Sequence, residues 1–387
     1  MIGYVVPQLD ARRAALALTG KLLGPGRVGP TVWRKILILR PDHLGDLLFL
    51  TPALRSLRNA FPTAEIVGLV GPWGRPVLER NSSLDRLLPW DFPWFDRKPK
   101  QSPLAPYRSL VGLARTLRRE QFDVAIHFRS DFWWGAVATR LAGIPTRIGY
   151  DAPISRPFLT HSIPVRPQLH AANQNLTLVQ AVVGEGQHAG LEFPLTDPER
   201  QRARTLLGQD GWTGRWLALQ VGAGAAVKLW PLERLASVGR VLRDEFGLAV
   251  VVVGGPTEVE AVRFVCDQVG GALGLAGTTT LGELGAVLER CDVAIGPDSG
   301  PLHLAVAVGT PTVHLYGPAD SRRFGPFGDP RWHRVVLTSR VCAPCNRLDF
   351  AGSELIVHDC VADIGTAAVL DAARDVLAQT SRHAGPR

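Results

Sequence analysis

Short apolar runs alternate with amphipathic stretches along most of the chain, and this alternation limits the possible folds more than any other feature. The run KILIL at residues 35–39 is apolar throughout, which is typical of a strand buried on both faces of its sheet. Leucines and a phenylalanine then recur at steps of three and four residues, as on one face of a helix. Thr51 and Pro52 are expected to be the N-cap and the first residue of that helix. Further strands are predicted at residues 65–70, 123–128 and 147–150, and helices at 107–120 and 132–142.

A second series of strands and helices follows a segment rich in glycine, proline and polar residues at 184–198, which we interpret as a domain linker. Its predicted strands cover residues 216–221, 249–253, 272–275, 292–295 and 312–316, and its helices 232–246, 258–269, 281–290 and 300–308. Such alternation predicts an α/β fold with two doubly wound, Rossmann-like domains that face a cleft. The expected divisions are a basic extension (1–34), an N-terminal domain (35–190), a C-terminal domain (191–365) and a C-terminal helix that packs back across the molecule (366–387).

Length and composition agree with two globular domains. A chain of 387 residues is long enough for two hydrophobic cores, and 46% hydrophobic with 20% charged residues excludes a disordered chain. The sequence has no run of eighteen apolar residues and its N-terminus does not resemble a signal peptide, so neither a membrane span nor secretion is expected. Five cysteines, an odd and sparse number, indicate a reducing compartment, and we expect a cytoplasmic protein.

The positive charge is concentrated in the first half of the chain. Residues 1–195 carry 24 Lys and Arg against 14 Asp and Glu, whereas the remainder carries 19 against 21. The excess is explained either by solubility alone or by an anionic partner of the N-terminal domain, such as a phosphorylated glycolipid, a membrane surface or a nucleic acid. No recognition motif for nucleic acid accompanies the charge, so we do not expect that partner.

The first candidate for chemistry is Asp46, in the loop RPDHLGD after the first predicted strand. A carboxylate at this position is suited to accept a proton as a general base, but aspartate is also a favoured helix cap, and the loop alone does not separate the two. Asp42 and His43 are weaker candidates in the same loop.

Two further candidates follow strands of the second series. Lys228 lies in GAGAAVKLWP, where small residues let the backbone approach a phosphate and the lysine adds a positive charge. Glu258 lies in VVVGGPTE, at a strand end where a carboxylate binds ribose hydroxyls in nucleotide sites. The structural alternatives are a solvated lysine and a glutamate that is favoured by the dipole of the helix it starts.

The segment GPDSGPLH at residues 296–303 gives the strongest signal for a ligand site. It follows a predicted strand and opens an apolar helix, and a helix N-terminus offers free N–H groups to a diphosphate. Helix capping alone explains Asp298 and Ser299, but it does not explain His303 beside them. We therefore favour a ligand site made by Asp298, Ser299, Gly300 and His303.

Together these segments resemble the glycosyltransferases of family 9, the lipopolysaccharide heptosyltransferase family, over about residues 35–340. The resemblance rests on KILILRPDHLGDLLFLTPALRSLRNAFP, VKLWP, VVVGGPTE and LAGTTTLGELGAVLERCDVAIGPDSGPLHLAVAVGTPTVHLYGP, the last of which is highly specific. It implies a GT-B fold and an inverting, metal-independent transfer with no cofactor. The donor it implies is a nucleotide sugar, typically ADP-heptose, and the acceptor is a phosphorylated lipopolysaccharide core at the inner face of the membrane.

By this resemblance Asp46 is the catalytic base, Lys228 binds the donor diphosphate and Glu258 binds the ribose. Asp298, Ser299, Gly300 and His303 are implied to contact the sugar and the phosphates. The sequence has no Asp-x-Asp metal motif. The stabilisation of the leaving group is therefore expected from Lys228 and helix N–H groups.

Two segments leave alternatives open. The loop at residues 89–100 places aromatic beside basic residues, which suits an acceptor or a membrane interface, or else aromatics that pack into the core. The first alternative predicts that the acceptor is bound by Arg40, Trp94, Arg97 and Lys98. Cys342, Cys345, His358 and Cys360 have tolerable spacing for zinc, but no further cysteine is present between them and we favour a segment without metal.

Three other functions compete with glycosyl transfer. A nicotinamide dehydrogenase requires Gly-x-Gly-x-x-Gly after a strand, and neither the loop at Gly45 nor that at Gly222 provides it. A nucleotide-sugar epimerase with the same fold would release free sugar without an acceptor. A non-catalytic protein that binds nucleotide sugars is disfavoured by the intact Asp46.

Overall fold

The computed structural model describes residues 32–95, 102, 104–184, 190–208, 214–355 and 357–383. The chain divides into two compact units, with the boundary between Ala189 and Gly190. Most of the expected basic extension, together with Arg97 and Lys98, lies outside the described residues. Among the residues that are described, no helix combines the length and the apolar character needed to cross a membrane.

The N-terminal unit is built around a six-stranded sheet in which all pairings are parallel. Its strands are β1 (Lys35–Arg40), β2 (Glu65–Val70), β3 (Arg86–Pro89), β4 (Val124–His127), β5 (Thr146–Tyr150) and β6 (His161–Ile163). Its helices are α1 (Leu44–Leu48), α2 (Thr51–Ala60), α3 (Arg75–Leu78), α4 (Ala105–Glu120), α5 (Trp133–Leu141) and α6 (Ala171–Val183). The strand order is β3-β2-β1-β4-β5-β6, so the direction of winding reverses between β1 and β4.

The C-terminal unit repeats this architecture with a second parallel six-stranded sheet. Its strands are β7 (Trp216–Gln220), β8 (Ala249–Gly254), β9 (Leu273–Ala276), β10 (Val293–Pro297), β11 (Thr312–Tyr316) and β12 (His333–Leu337). Its helices are α7 (Asp197–Leu207), α8 (Leu232–Phe246), α9 (Val259–Val269), α10 (Leu281–Glu289), α11 (Gly300–Ala307), α12 (Ser321–Phe324) and α13 (Thr366–His383). The order β12-β11-β10-β7-β8-β9 places the reversal between β7 and β10.

The central strands have the apolar composition that burial on both faces of a sheet requires. Residues 36–39 of β1 are at most 1% exposed, because neighbouring strands flank them in the sheet and helices cover both faces. In the C-terminal unit, apolar residues of β7, β8, β10 and β11 form the core with α8, α9 and α13. Helix α13 contributes Val369, Ala373, Val376 and Leu377 to this core, so it is packed within the C-terminal unit.

The predicted α/β fold class, with two doubly wound sheets, is confirmed by these two sheets. The predicted strands and helices lie within two residues of those observed, apart from the end of the last helix. The elements that were not predicted are β3, β6, β12, α3, α6, α7 and α12. Apart from the helices α6 and α7, each of them has at most five residues. Helix α7 begins inside the predicted linker, where Thr196 and Glu199 form a capping box.

One local prediction was wrong. Helix α2 begins at Thr51, and its N-cap residue is Leu50, so Thr51 does not cap the helix. The Thr51 hydroxyl instead donates a hydrogen bond to the carbonyl oxygen of Leu48 at 2.8 Å. The reason is that α1 ends only three residues earlier, and its last turn supplies an acceptor to the hydroxyl.

Candidate active site

Loops from three adjacent strands meet at the carboxyl edge of the C-terminal sheet. Strands β8, β7 and β10 are neighbours, and they are followed by the loops that carry Glu258, Lys228 and Asp298. Ligands of doubly wound sheets bind at this edge, where the strand order reverses. Here the reversal between β7 and β10 separates the strand that leads to Lys228 from the strand that leads to Asp298.

Lys228 and Asp298 form an ion pair across this reversal. The Lys228 Nζ atom lies 2.6 Å from Asp298 Oδ2, and the side chains are 14% and 8% exposed. Lys228 ends a 3₁₀ turn, Ala226–Lys228, which directs its side chain back over the sheet. The alternative of a solvated lysine is therefore excluded for this structure.

The second oxygen of Asp298 is also occupied. Its Oδ1 atom accepts a hydrogen bond from the Tyr316 hydroxyl at 2.9 Å and lies 3.5 Å from His303 Nε2. Burial alone would raise the pKa of Asp298, but the hydrogen bond from His303 and the charge of Lys228 lower it well below its ordinary value. Asp298 is thus held as a carboxylate by three partners, none of which is the helix backbone that capping would require.

The N-terminus of α11 completes this group. Ser299 occupies the N-cap position with an extended backbone, but its side chain makes no capping hydrogen bond. Its buried hydroxyl has no hydrogen-bond partner among the described residues. Gly300 is the first residue of the helix, and His303 lies in the first turn and is 3% exposed. The structure therefore brings together Lys228 and the four residues predicted from GPDSGPLH.

Glu258 lies at the same edge of the sheet, on the loop after β8. It is the N-cap residue of α9, and its Oε2 atom accepts a hydrogen bond from the backbone N–H of Gly255 at 2.6 Å. Its carboxylate lies against Gly222, where an added Cβ would be only 1.6 Å from Oε1. A side chain at position 222 would therefore displace the Glu258 carboxylate from this position, a contact that the sequence did not reveal.

Two residues of β11 were missed by the sequence analysis. His314 and Tyr316 alternate with Val313 and Leu315, so they share the face of the strand that meets Asp298 and His303. His314 is fully buried with a ring centroid 5.4 Å from that of His303, and burial holds its pKa well below the ordinary value. The sequence did contain a signal for this polar face, because polar residues occupy every second position of an otherwise apolar strand.

In the N-terminal unit, Arg40 is the centre of a buried network at the carboxyl ends of β1 and β4. Its Nε atom lies 2.6 Å from Asp42 Oδ2, and its Nη1 atom donates to Asn175 Oδ1 at 3.2 Å and to the Phe128 carbonyl. Asp42 is bound from the other side by Arg129, which follows β4. Arg40 is only 7% exposed and its guanidinium group is bound by these internal partners. It therefore has little accessible surface for an acceptor, in contrast to the prediction that Arg40 binds the acceptor.

Asp46 is the outermost member of this network. It is the third residue of α1, whose N-cap is His43, so it does not cap the helix. Arg40 Nη2 lies 3.2 Å from its Oδ1 atom, and its side chain remains 38% exposed. Partial burial and the neighbouring carboxylate of Asp42 raise the pKa of Asp46 above its ordinary value, against the opposing charges of Arg40 and Arg129. A raised pKa on a fixed, accessible carboxylate suits a general base.

The aromatic loop after β3 packs into its own unit. Phe92 is fully buried, and Trp90, Trp94 and Phe95 pack against the same core. Trp94 has a positive φ of 73°, and its ring centroid lies 6.0 Å from that of Trp133. The structure thus favours the core-packing alternative for these aromatics, and Trp94 does not join the group around Asp46 described above.

The cysteine segment lies beside the β7 loop. Cys342, Cys345, His358 and Cys360 line one small cavity with Val227. The His358 ring stacks on Phe350 at a centroid distance of 4.0 Å. Within the part of the chain that the structure describes, no group of three or more His, Cys, Asp or Glu side chains is arranged to hold a metal ion.

Comparison with known proteins adds to this geometry. The family model described as glycosyltransferase family 9 (heptosyltransferase) matches residues 110–349, which is more than half of the chain. The chain is 26% identical to "Lipopolysaccharide heptosyltransferase 3" of Escherichia coli over 295 residues, covering 74% of this chain and 84% of that protein.

Solved structures give the same result for the fold. A family 9 glycosyl transferase from Veillonella parvula matches with a TM-score of 0.74 and 25% identity, covering 89% of this chain and 98% of that one. E. coli ADP-heptose lps heptosyltransferase II matches with a TM-score of 0.70 and 22% identity, covering 90% and 99%. The predicted GT-B fold class is confirmed by these similarities.

Replacement of Tyr316 by phenylalanine tests the buried carboxylate network. The variant keeps the ring but removes a hydrogen bond to a charged, buried group, so we expect the free energy of unfolding to fall by about 1.5–3 kcal/mol. Urea denaturation measures this change. Tyr107→Phe is the matched control, because Tyr107 is 47% exposed. Equal stability of the two variants would contradict a stabilising role for the Tyr316–Asp298 hydrogen bond.

Proposed function

Because the chain belongs to glycosyltransferase family 9, we propose that it transfers a heptose from ADP-heptose to a phosphorylated lipopolysaccharide core, with inversion at the anomeric carbon. The relative from E. coli that covers most of this chain bears the name of a lipopolysaccharide heptosyltransferase. The observation that carries the proposal is the Lys228–Asp298 pair at the N-terminus of α11, because it combines a cation, a carboxylate and free helix N–H groups in one place.

The diphosphate of the donor binds at the N-terminus of α11. Lys228 supplies a positive charge, and the first N–H groups of the helix supply hydrogen bonds and the positive end of its dipole. Both act most strongly when the bond to the sugar breaks, because negative charge then accumulates on the leaving diphosphate. The proposal therefore needs no metal ion and no cofactor for the departure of ADP.

Glu258 and Asp298 recognise hydroxyl groups of the donor. The Gly255 N–H anchors the Oε2 atom of Glu258 and so fixes the carboxylate, which accepts hydrogen bonds from the ribose hydroxyls. Asp298 accepts from the heptose hydroxyls when the diphosphate draws Lys228 away from it. The hydroxyl of Ser299, which is buried without a partner in the described residues, donates to a phosphate oxygen.

Asp46 acts as the general base. It accepts the proton of the acceptor hydroxyl while that oxygen attacks the anomeric carbon, and the bond to the diphosphate breaks on the opposite face. A single displacement of this kind inverts the anomeric configuration. The bond from Arg40 fixes the carboxylate, so Arg40 acts through Asp46 in this proposal and does not contact the acceptor.

The acceptor binds to the N-terminal half of the chain. Its excess of 24 Lys and Arg over 14 Asp and Glu complements the phosphates of a lipopolysaccharide core. Arg97 and Lys98, which lie outside the described residues, remain predicted contacts of the acceptor. Because this acceptor is carried by a lipid, the proposal places the enzyme at the inner face of the membrane.

Calorimetry with nucleotide sugars tests the donor. We expect ADP-heptose to bind in preference to other ADP-sugars and to UDP- and GDP-sugars. Lys228→Ala removes a charged hydrogen-bond donor and should weaken binding about 10–100-fold, whereas Lys228→Arg should retain part of it. Preference for a different nucleotide sugar would contradict the heptose donor. Binding without transfer to a lipopolysaccharide-core acceptor would favour a non-catalytic protein, and release of free sugar would favour an epimerase.

The contact between Gly222 and Glu258 predicts a non-additive pair of variants. Gly222→Ala must displace the Glu258 carboxylate, so we expect it to weaken ADP-heptose binding as much as Glu258→Ala does. The double variant should then bind no more weakly than either single variant. Gly224→Ala, whose added methyl group meets no atom within 4 Å, is the control for folding of the loop. Additive losses in the double variant would show that Gly222 acts independently of Glu258.

The pH dependence of kcat/KM tests the base. Activity should rise with pH through the pKa of Asp46, because only the carboxylate accepts a proton, and Asp46→Asn should lower kcat about 10²–10⁴-fold. Arg40→Gln removes a positive charge that lowers this pKa, so the acid limb should move to higher pH. Arg40→Lys keeps the charge and should move it less. An acid limb that stays in place in Arg40→Gln would contradict the assignment of Asp46.

A further inference from the structure

The outer face of helix α4 combines exposed apolar and basic residues. Leu104, Tyr107 and Val111 are 58%, 47% and 42% exposed, whereas the opposite face of the helix is buried through residues such as Leu110 and Leu117. The exposed apolar residues are therefore additional to a complete core face. The same outer face also carries four exposed basic residues: Arg108, Arg115, Arg118 and Arg119.

Within the part of the chain that the structure describes, these four arginines have no acidic partner. No carboxylate of a described residue lies within 4.0 Å of any of them, whereas exposed arginines elsewhere pair with Asp329, Glu354 and Glu245. Four guanidinium groups without a carboxylate partner among the described residues create a local positive potential on one helix face, and this potential attracts an anionic surface. Charge complementarity thus defines the chemistry of the partner.

The apolar part of this face lies near the end of the sheet that carries Asp46. Helix α4 returns from β3 to β4, so it runs antiparallel to the strands and begins at their carboxyl edge. The contact of Trp90 Nε1 with Ser109 Oγ at 3.0 Å agrees, because Trp90 directly follows β3. The α4 outer face therefore presents its apolar end at the edge from which Asp46 projects.

We propose that the α4 outer face docks the N-terminal unit on an anionic lipid bilayer. Leu104, Tyr107 and Val111 enter the interfacial layer, and the arginines bind lipid phosphates beside them. Docking in this orientation brings the Asp46 edge towards an acceptor whose lipid is embedded in the same bilayer. This last point rests on the proposed function, but the docking itself does not.

Sedimentation of the purified chain with lipid vesicles tests the docking. The vesicles contain phosphatidylcholine alone or mixed equally with phosphatidylglycerol, and neither donor nor acceptor is present. We expect binding only to the anionic vesicles, with a loss at high ionic strength. Each arginine near such a surface contributes about fivefold in affinity, so Arg115→Gln/Arg118→Gln should weaken binding about 25-fold. Tyr107→Ser/Val111→Ser should weaken it as well.

The matched controls carry substitutions of the same types at positions outside helix α4. Arg263→Gln/Arg374→Gln removes two ion-paired arginines, and Leu337→Ser removes an apolar side chain that is 59% exposed. Both should bind vesicles as the unaltered chain does. Equal losses in the controls, or full binding by the α4 variants, would overturn the proposal. A second result would also overturn the proposal: the unaltered chain self-associates in sedimentation velocity, the α4 variants do not, and neither binds vesicles. The α4 outer face would then dock a second copy of the chain.

Transfer to a water-soluble acceptor without acyl chains separates this proposal from the proposed function. The α4 variants should transfer sugar to that acceptor at the unaltered rate, and lose activity only when the acceptor is embedded in anionic vesicles. Vesicle binding without any transfer would contradict the proposed function alone. Loss of transfer to the soluble acceptor in the α4 variants would instead place this face in acceptor binding and overturn its role in docking.

Discussion

All strands in the described part of both sheets pair in parallel. Two adjacent parallel strands must be joined by a crossover connection, and here helices and loops form these connections. The carboxyl ends of the strands therefore gather at one edge of each sheet, and the loops there must carry the polar residues that the buried strands exclude. Asp46 follows the first strand of one sheet, and Lys228 and Asp298 flank the reversal of the other. The positions of the candidate site residues are thus a consequence of strand pairing.

The two carboxylates are held in opposite electrostatic environments. Asp298 is enclosed by Lys228, His303 and Tyr316, and its pKa is well below the ordinary value. Asp46 has one guanidinium contact and a second carboxylate nearby, and its pKa is raised. A carboxylate that stays ionised is suited to binding hydroxyl groups, whereas one with a raised pKa accepts a proton more readily. The difference supports the separate roles proposed for the two residues.

The sequence was sufficient for the fold class and for most of the residues that the structure brings together at the edge of the C-terminal sheet, because both depend on local patterns such as apolar runs and the segment GPDSGPLH. It was insufficient where a contact joins residues far apart in the chain. The pairing of Lys228 with Asp298, of Gly222 with Glu258, and the enclosure of Arg40 are contacts of this kind. The prediction that Thr51 is the N-cap of α2 was wrong, because the carbonyl oxygen of Leu48 in the preceding helix accepts the hydrogen bond of its hydroxyl.

In the proposed function, the ion pair of Lys228 with Asp298 also explains how a diphosphate site can contain a buried carboxylate. Either charge alone would be costly at this depth, since breaking a buried pair costs about 3–5 kcal/mol. A diphosphate that takes Lys228 as its own counterion would leave Asp298 without its closest cation. Binding is then favourable only if the ligand also brings donors for the freed carboxylate, as sugar hydroxyls do. The proposed site should therefore bind a ligand that joins a diphosphate to a sugar more tightly than it binds free phosphates.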